Sequence, residues 1–245
     1  MNPVHRWRWV VLSSLVALAA GCGWPEAVGS GHVVTEERQL SEFMALEVSD
    51  GIESTVVVDE AQPGQVRVVG DDNLVADVLT EQTVSGTLSV HFRDHLGGWS
   101  SPNPLRVEMT VPRLESISSS GGGTVDLGGT LSASSLQISS SGGGTVRARG
   151  LATESLTLEM SGGGDVTLAG QAYRVTSSLS GGSLLHARDL YARDASLSSS
   201  GGGSTVLRVS DTLRVSASGG SEIHIVGRPE ALSTELSGGS TLTFE

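Results

Sequence analysis

The sequence predicts an all-β chain wound as a β-solenoid of about 20 residues per turn, and three observations point there. A Ser-Gly-Gly triplet recurs seven times, with its serines at Ser120, Ser141, Ser161, Ser180, Ser200, Ser218 and Ser237, in steps of 21, 20, 19, 20, 18 and 19 residues. Aliphatic residues keep a fixed phase to that serine. Three places before it stand Ile117, Ile138, Leu158, Leu197 and Val215; five places after it stand Val125, Val146, Val166, Leu185, Ile223 and Leu242. Alternation on both sides of the glycines is the period-2 signature of strands. Finally, aromatic residues make up only 4 % of the chain. A dry interior must then come from stacked aliphatic columns, each buried side chain contributing roughly 1.5–3 kcal/mol.

Taken in order, the first 21 residues read as a signal peptide. His5, Arg6 and Arg8 are a basic start, Val10 to Ala20 is an apolar run too short to span a bilayer, and Ala19-Ala20-Gly21 offers small residues for cleavage. Cys22 follows, the only cysteine, and this arrangement resembles a bacterial lipoprotein signal whose cysteine is lipidated. Gly23 after it favours the outer membrane in a Gram-negative cell, with the domain facing the periplasm or the surface. A lone cysteine leaves no intrachain disulfide, so hydrogen bonds and apolar stacking must hold the turns. Residues 22–37 read as a flexible tether, interrupted by Gly23, Pro25, Gly29, Ser30 and Gly31.

Residues 38–113 read as strand-rich, irregular N-terminal turns. Thr55 to Val58, Val66 to Val69, Gly86 to Phe92 and Val107 to Pro112 are strands, while Asn73 to Thr80 is expected as a short helix. Residues 114–245 form the repeat array. Each repeat is strand, glycine corner, strand, with a third short segment closing the coil. Glycine turns sharply at positive φ without a Cβ clash, and small serines are expected to stack there at about 4.8 Å, exchanging hydroxyl hydrogen bonds along the column. The fifth repeat has Thr205 where others are aliphatic, so a slip placing Val206 inside is expected. A flexible linker would not carry aliphatics in phase. A β-propeller needs about forty residues per blade, and a β-sandwich remains the other alternative.

Signal removal leaves 13 basic residues, all arginine, against 27 acidic ones, a net charge of −14. That argues against nucleic acid and against electrostatic attachment to anionic lipid.

The segment Leu46-Glu47-Val48-Ser49-Asp50-Gly51-Ile52-Glu53-Ser54-Thr55-Val56, then Val69-Gly70-Asp71-Asp72-Asn73-Leu74, the strand end Thr110-Val111-Pro112-Arg113-Leu114 and the serial Ser-Gly-Gly corners together resemble the "putative auto-transporter adhesin, head GIN domain" family. The similarity runs from about Phe43 to Phe244. Gly51 would be the glycine of the Gly-Ile-Asn turn, with Glu53 replacing the asparagine. The resemblance implies a right-handed parallel β-solenoid, an envelope location and no established enzymatic role.

Chemistry-bearing sets are sparse. Gly121-Gly122-Gly123-Thr124-Val125-Asp126 is the nearest approach to a calcium nonapeptide, but Arg147 and Thr167 hold the place of Asp126 one and two turns on. No metal and no cofactor is expected. Asp165, Asp189, Asp194 and Asp211 stand at different phases and do not form the carboxylate pair a glycosidase needs. Arg149, Arg188 and Arg208 each lie eight residues after a corner serine. They are either a solvated column or one wall of a groove for an anionic glycan. Trp99, in the His95-to-Pro104 segment outside the repeats, either caps an end or seam of the solenoid or offers an aromatic contact. The expected function is a non-catalytic, lipid-anchored envelope protein with an adhesin-like or scaffold surface, its partners an envelope protein or glycan. The alternative is a polysaccharide-binding or polysaccharide-cleaving module. The last turn, Ser240 to Glu245, lacks an obvious cap, so edge-mediated self-association is also expected.

Overall fold

The computed structural model describes residues 27–93 and 98–245. Residues 1–21, read as a signal peptide, and Cys22 lie outside them. The chain forms a parallel β-solenoid of about six turns.

The N-terminal third is not wound in chain order. β1 (Ala27–Val28) and β2 (Val33–Arg38) precede β3 (Ala45–Val48) and β4 (Glu53–Val58), which make the first coil. β5 (Gln65–Asp71), α1 (Asp72–Val75), β6 (Val78–Gln82), β7 (Thr87–Phe92), β8 (Trp99–Ser100) and β9 (Arg106–Val111) follow. β7 pairs parallel with β3, and β9 with β4. The opposite edges of β3 and β4 carry β10 (Ser116–Gly121) and β11 (Thr124–Gly129). The first coil is therefore sandwiched: the chain drops below it, builds β5 to β9, and returns above it. Antiparallel pairs finish this end, β6 on β7, β5 on β9 and β2 on β5. α1 sends Leu74 and Val75 into the apolar core.

The array then climbs through β12 (Leu131–Gly142), β13 (Thr145–Gly162), β14 (Asp165–Gly181), β15 (Leu184–Gly201) and β16 (Ser204–Gly219). β17 (Glu222–Val226), β18 (Ala231–Leu236) and β19 (Thr241–Phe244) complete it. Successive coils pair in parallel, which excludes the sandwich alternative. The seven serines stand in one column: Ser120 pairs with Ser141, and the ladder continues Ser161, Ser180, Ser200 and Ser218, with Ser237 N donating to Ala217 O at the last step. Behind it, Gly142, Gly162, Gly181, Gly201, Gly219 and Gly238 all have positive φ, and a Cβ at any of them would sit 2.4–2.7 Å from the carbonyl oxygen one coil below. The middle glycine of each corner is different; Gly143, Gly163, Gly182 and Gly202 have open space around a Cβ.

Several sequence expectations are corrected. Residues 27–37, read as tether, are folded from Ala27 onward. β2 pairs with β5, and Asn73 fastens what precedes it: its Oδ1 accepts from Ser30 N at 2.9 Å and its Nδ2 donates to Val28 O at 2.8 Å, while Ser30 Oγ donates to Asp72 Oδ1 at 2.5 Å. The helix expected over Asn73 to Thr80 is a single turn, because Val78 to Thr80 pairs with β7 and tertiary pairing overrides local propensity. The slip at Val206 does not occur. Thr205 pairs with Leu185 and is buried, and Val206 points outward. A one-residue slip would turn every following side chain to the wrong face, a far larger penalty than one inward threonine. The corner serines do not form a hydroxyl ladder among the described residues. They are exposed or half-buried, and Ser180 Oγ and Ser237 Oγ instead reach the carbonyls of Met160 and Ala217 in the coil below, at 3.4 and 3.5 Å. Buried hydroxyls flank the corner instead, one place earlier at Ser119, Ser140 and Ser199 and three places later at Ser183 and Ser221.

Candidate functional site

After each Ser-Gly-Gly corner the chain runs along one wall, turns at a second bend, and crosses a short wall. Differences in turn length are absorbed at this second bend: the ladder shifts between Ala148 and Leu151, between Thr167 and Ala169, and between Ala187 and Tyr191. Just past it lies an open groove of about 980 Å³ that crosses six coils. Its floor is the backbone of a column of small residues, Ala133, Thr153, Ala172, Ala192, Val209 and Gly227. Side chains from the flanking positions point outward and form two walls.

One wall carries Gln171, Tyr191 and Arg208 in register; the other carries Tyr173, Arg193 and Arg228. These are the only two tyrosines of the chain, and they are 46 % and 58 % exposed at Tyr173 and Tyr191. Each is covered by a guanidinium from the next coil. Arg193 Cζ lies 4.9 Å from the Tyr173 centroid, and Arg208 Cζ 4.8 Å from that of Tyr191. The same pairing thus occurs twice, on opposite walls and one coil apart.

The two arginines are held differently. Arg193 donates from Nε to Asp211 Oδ2 at 2.6 Å and from Nη1 to the Tyr173 hydroxyl at 2.8 Å. The Asp211 bond first, and the field of Tyr173 second, raise its pKa above the ordinary arginine value. The Ser210 hydroxyl, and after it the Arg193 bond, hold the Asp211 carboxyl below its usual range. Arg208 spends only Nε, on Arg188 O at 3.1 Å. Arg228 is exposed and makes no ion pair among the described residues. Three guanidinium groups line the groove against one carboxylate, Glu154, on a chain whose net charge is −12.

Of the residues singled out from sequence, the structure brings only Arg208 to this groove. Arg149 falls within the ladder shift after Ala148. Arg188 falls in the shift after Ala187 and turns its Nη1 to Glu245 Oε2 at 2.8 Å. Equal distance from the corner serine does not survive the second bend, so these three do not form a column. Trp99 is half-buried against the core, and its Nε1 donates to Asp50 O at 3.1 Å. It braces the first corner. No group of three or more His, Cys, Asp or Glu placed to hold a metal occurs among the described residues. The missed residues are Tyr173, Tyr191, Arg193 and Arg228. One signal was available: Tyr173 and Arg193 are 20 residues apart, one turn of the repeat.

The family model described as "Putative auto-transporter adhesin, head GIN domain" matches residues 42–229. The chain belongs to this family. Its head GIN corner is Asp50-Gly51, stacked directly under the Gly121 corner. Asp50 has φ +60, the only positive value at a non-glycine residue among the described ones, and Gly51 has φ +77. The Asp50 carboxylate accepts from Phe92 N and Ser49 Oγ, both at 2.9 Å, which fixes the turn without an amide side chain at position 53. Glu53 itself is exposed.

Solved structures share the fold. A "putative adhesin" of Bacteroides fragilis superposes with a TM-score of 0.83 at 23 % identity, over 89 % of this chain and 99 % of that one. A "putative adhesin" of Parabacteroides merdae gives 0.72 at 18 %, over 90 % and 99 %. A "putative lipid binding protein" of Parabacteroides distasonis gives 0.72 at 17 %, over 90 % and 99 %. Comparison with curated proteins finds no similar sequence.

Proposed function

We propose that this head GIN protein is a non-catalytic, lipid-anchored component of the cell envelope whose short solenoid wall is an adhesin-like binding surface. One observation carries the reading: both tyrosines of the chain are displayed on that wall, each topped by an arginine. Exposed aromatics with a polar edge are the residues that surfaces use to hold partners. Membership of an adhesin-named family supports the same role, and Cys22 after its signal supplies the anchor. Anchoring of that kind would hold the outer-membrane leaflet firmly, since several acyl chains bind far more strongly than one.

The test has two parts. Cys22→Ala should move the protein from the membrane to the soluble fraction. Tyr173→Ala with Tyr191→Ala should leave it membrane-bound and reduce attachment of cells carrying it to a coated surface. Attachment unaffected by the double variant sinks the wall as the binding surface. Among the described residues no further strand pairs on the outer edges of β18 and β19, which also supports self-association, read by light scattering on the intact protein; a strict monomer removes that part.

A further inference from the structure

The groove's own chemistry restricts what can lie in it. Its floor is backbone already committed to the parallel ladder on both sides, from β13 through β16. No edge is free there for an extended peptide to add as a strand, so recognition must come from side chains. It is open along its length, and it mixes apolar surface with hydroxyl, amide and guanidinium groups, which suits an elongated, amphipathic and hydrated ligand. Beside Glu154, Gln171 and several serines, two kinds of long side chain reach it. Tyr173 and Tyr191 present amphipathic rings, and the guanidinium groups of Arg208 and Arg228 retain unspent donors. Arg193 is held from two sides, by Asp211 at Nε and the Tyr173 hydroxyl at Nη1, so its role is to position Tyr173.

Aromatic rings with hydroxyls suit sugar faces, and planar guanidinium forks suit carboxylates. The spacing agrees. Coils repeat at about 4.8 Å, and a pyranose in an extended chain advances by a comparable length, so adjacent sugars can meet adjacent coils in the same manner. A local excess of cations on an acidic protein favours an anion at this wall and repels it elsewhere.

We infer that the groove holds a linear, carboxylate-bearing polysaccharide laid along the solenoid axis, with Tyr173 and Tyr191 against sugar rings and Arg208 and Arg228 on its carboxylates. This rests on the reading of the short wall as a binding surface.

The experiment is calorimetric titration of the full-length protein with polygalacturonate, beside carboxyl-reduced polygalacturonate, polyglutamate and phosphatidylglycerol vesicles. Polygalacturonate should bind, and the reduced polymer at least tenfold more weakly. Tyr173→Ala with Tyr191→Ala should weaken binding at least tenfold, as should Arg208→Gln with Arg228→Gln, with unchanged circular dichroism. Arg228→Glu alone, at an exposed position, should weaken it too. Absence of polygalacturonate binding, or equal binding of polyglutamate or vesicles, overturns the assignment, as does binding that survives all three variants. Should titration fail while cell attachment still depends on the two tyrosines, the ligand class is wrong and the binding wall stands.

Discussion

The repeat array from β10 onward and the N-terminal region before it share one core but are held together in opposite ways. In the array, the same backbone geometry is used coil after coil. Each corner glycine lies on the carbonyl of the one below, and side-chain hydrogen bonds between coils join residues about one turn apart, as in Ser180 to Met160 and Ser237 to Ala217. In the N-terminal region, individual side chains do the joining. Asp71 is fully buried and accepts from Ser101 Oγ at 2.6 Å and Asn103 Nδ2 at 2.7 Å. Asp72 and Asn73 fasten residues 28–30. Repetition makes a generic contact sufficient because every copy reinforces its neighbours. Where the winding order breaks, no such copies exist and named polar partners take over.

The contrast can be broken most sharply at a corner. Gly181→Ala places a Cβ 2.6 Å from the Gly162 carbonyl oxygen at φ +79, and thermal unfolding should show a loss of about 4 kcal/mol. Gly182→Ala, one residue on with open space around it, should stay within about 0.5 kcal/mol. If the two behave alike, corner stacking is not what holds the array.

Leu74→Ala removes the fully buried plug of α1 and should cost about 3 kcal/mol. Hydrogen exchange should localise the damage to β2 and β5 and spare β13 to β16. Uniform loss would mean that cap and array melt as one unit.

Acid distinguishes the regions more gently. The Ser101 hydroxyl, and after it the Asn103 amide, hold the Asp71 carboxyl below its usual range, against burial, which pushes it up. A carboxyl lowered by folding stabilises the protein above the ordinary carboxylate pKa, and that stability is lost as pH falls through the lowered value. Glu245, lowered by His224 and then by Arg188, has the same sign at the other end. Asp71→Asn should therefore flatten the acid limb of a melting-temperature profile and free the 28–37 segment to protease at neutral pH. A profile identical to the parent's would remove Asp71 from this role.

The smallest effect is expected inside the array. Ser177 stands in the column of Leu158 and Leu197, buried, and its hydroxyl has no partner. Ser177→Ala should be stabilising by about 1 kcal/mol, since an unpaired buried hydroxyl is worth less than none. A clear loss would show that a bound water satisfies it.

The repeat was legible because its cause is local. A residue that turns at positive φ under a neighbouring carbonyl must be glycine, and strands flanking it must alternate, so Gly142 or Val146 announce their places. Asp71-Asp72-Asn73 was visible as a motif but not as a clamp, because its partners lie some 30 to 45 residues away. The three arginines part company for a related reason. Arg149, Arg188 and Arg208 share a phase counted from their serines, yet the ladder shifts at the second bend, and only Arg208 emerges in the groove.

Sequence alone determined that this chain would coil on glycine corners with aliphatic columns inside, since φ, Cβ volume and side-chain alternation are properties of a residue and its near neighbours. Tertiary structure alone decided that the first coil is sandwiched, that residues 27–37 are folded, and that Tyr173 meets Arg193 while Tyr191 meets Arg208. Those outcomes depend on where slack in turn length is taken up, and the whole stack sets that through its register.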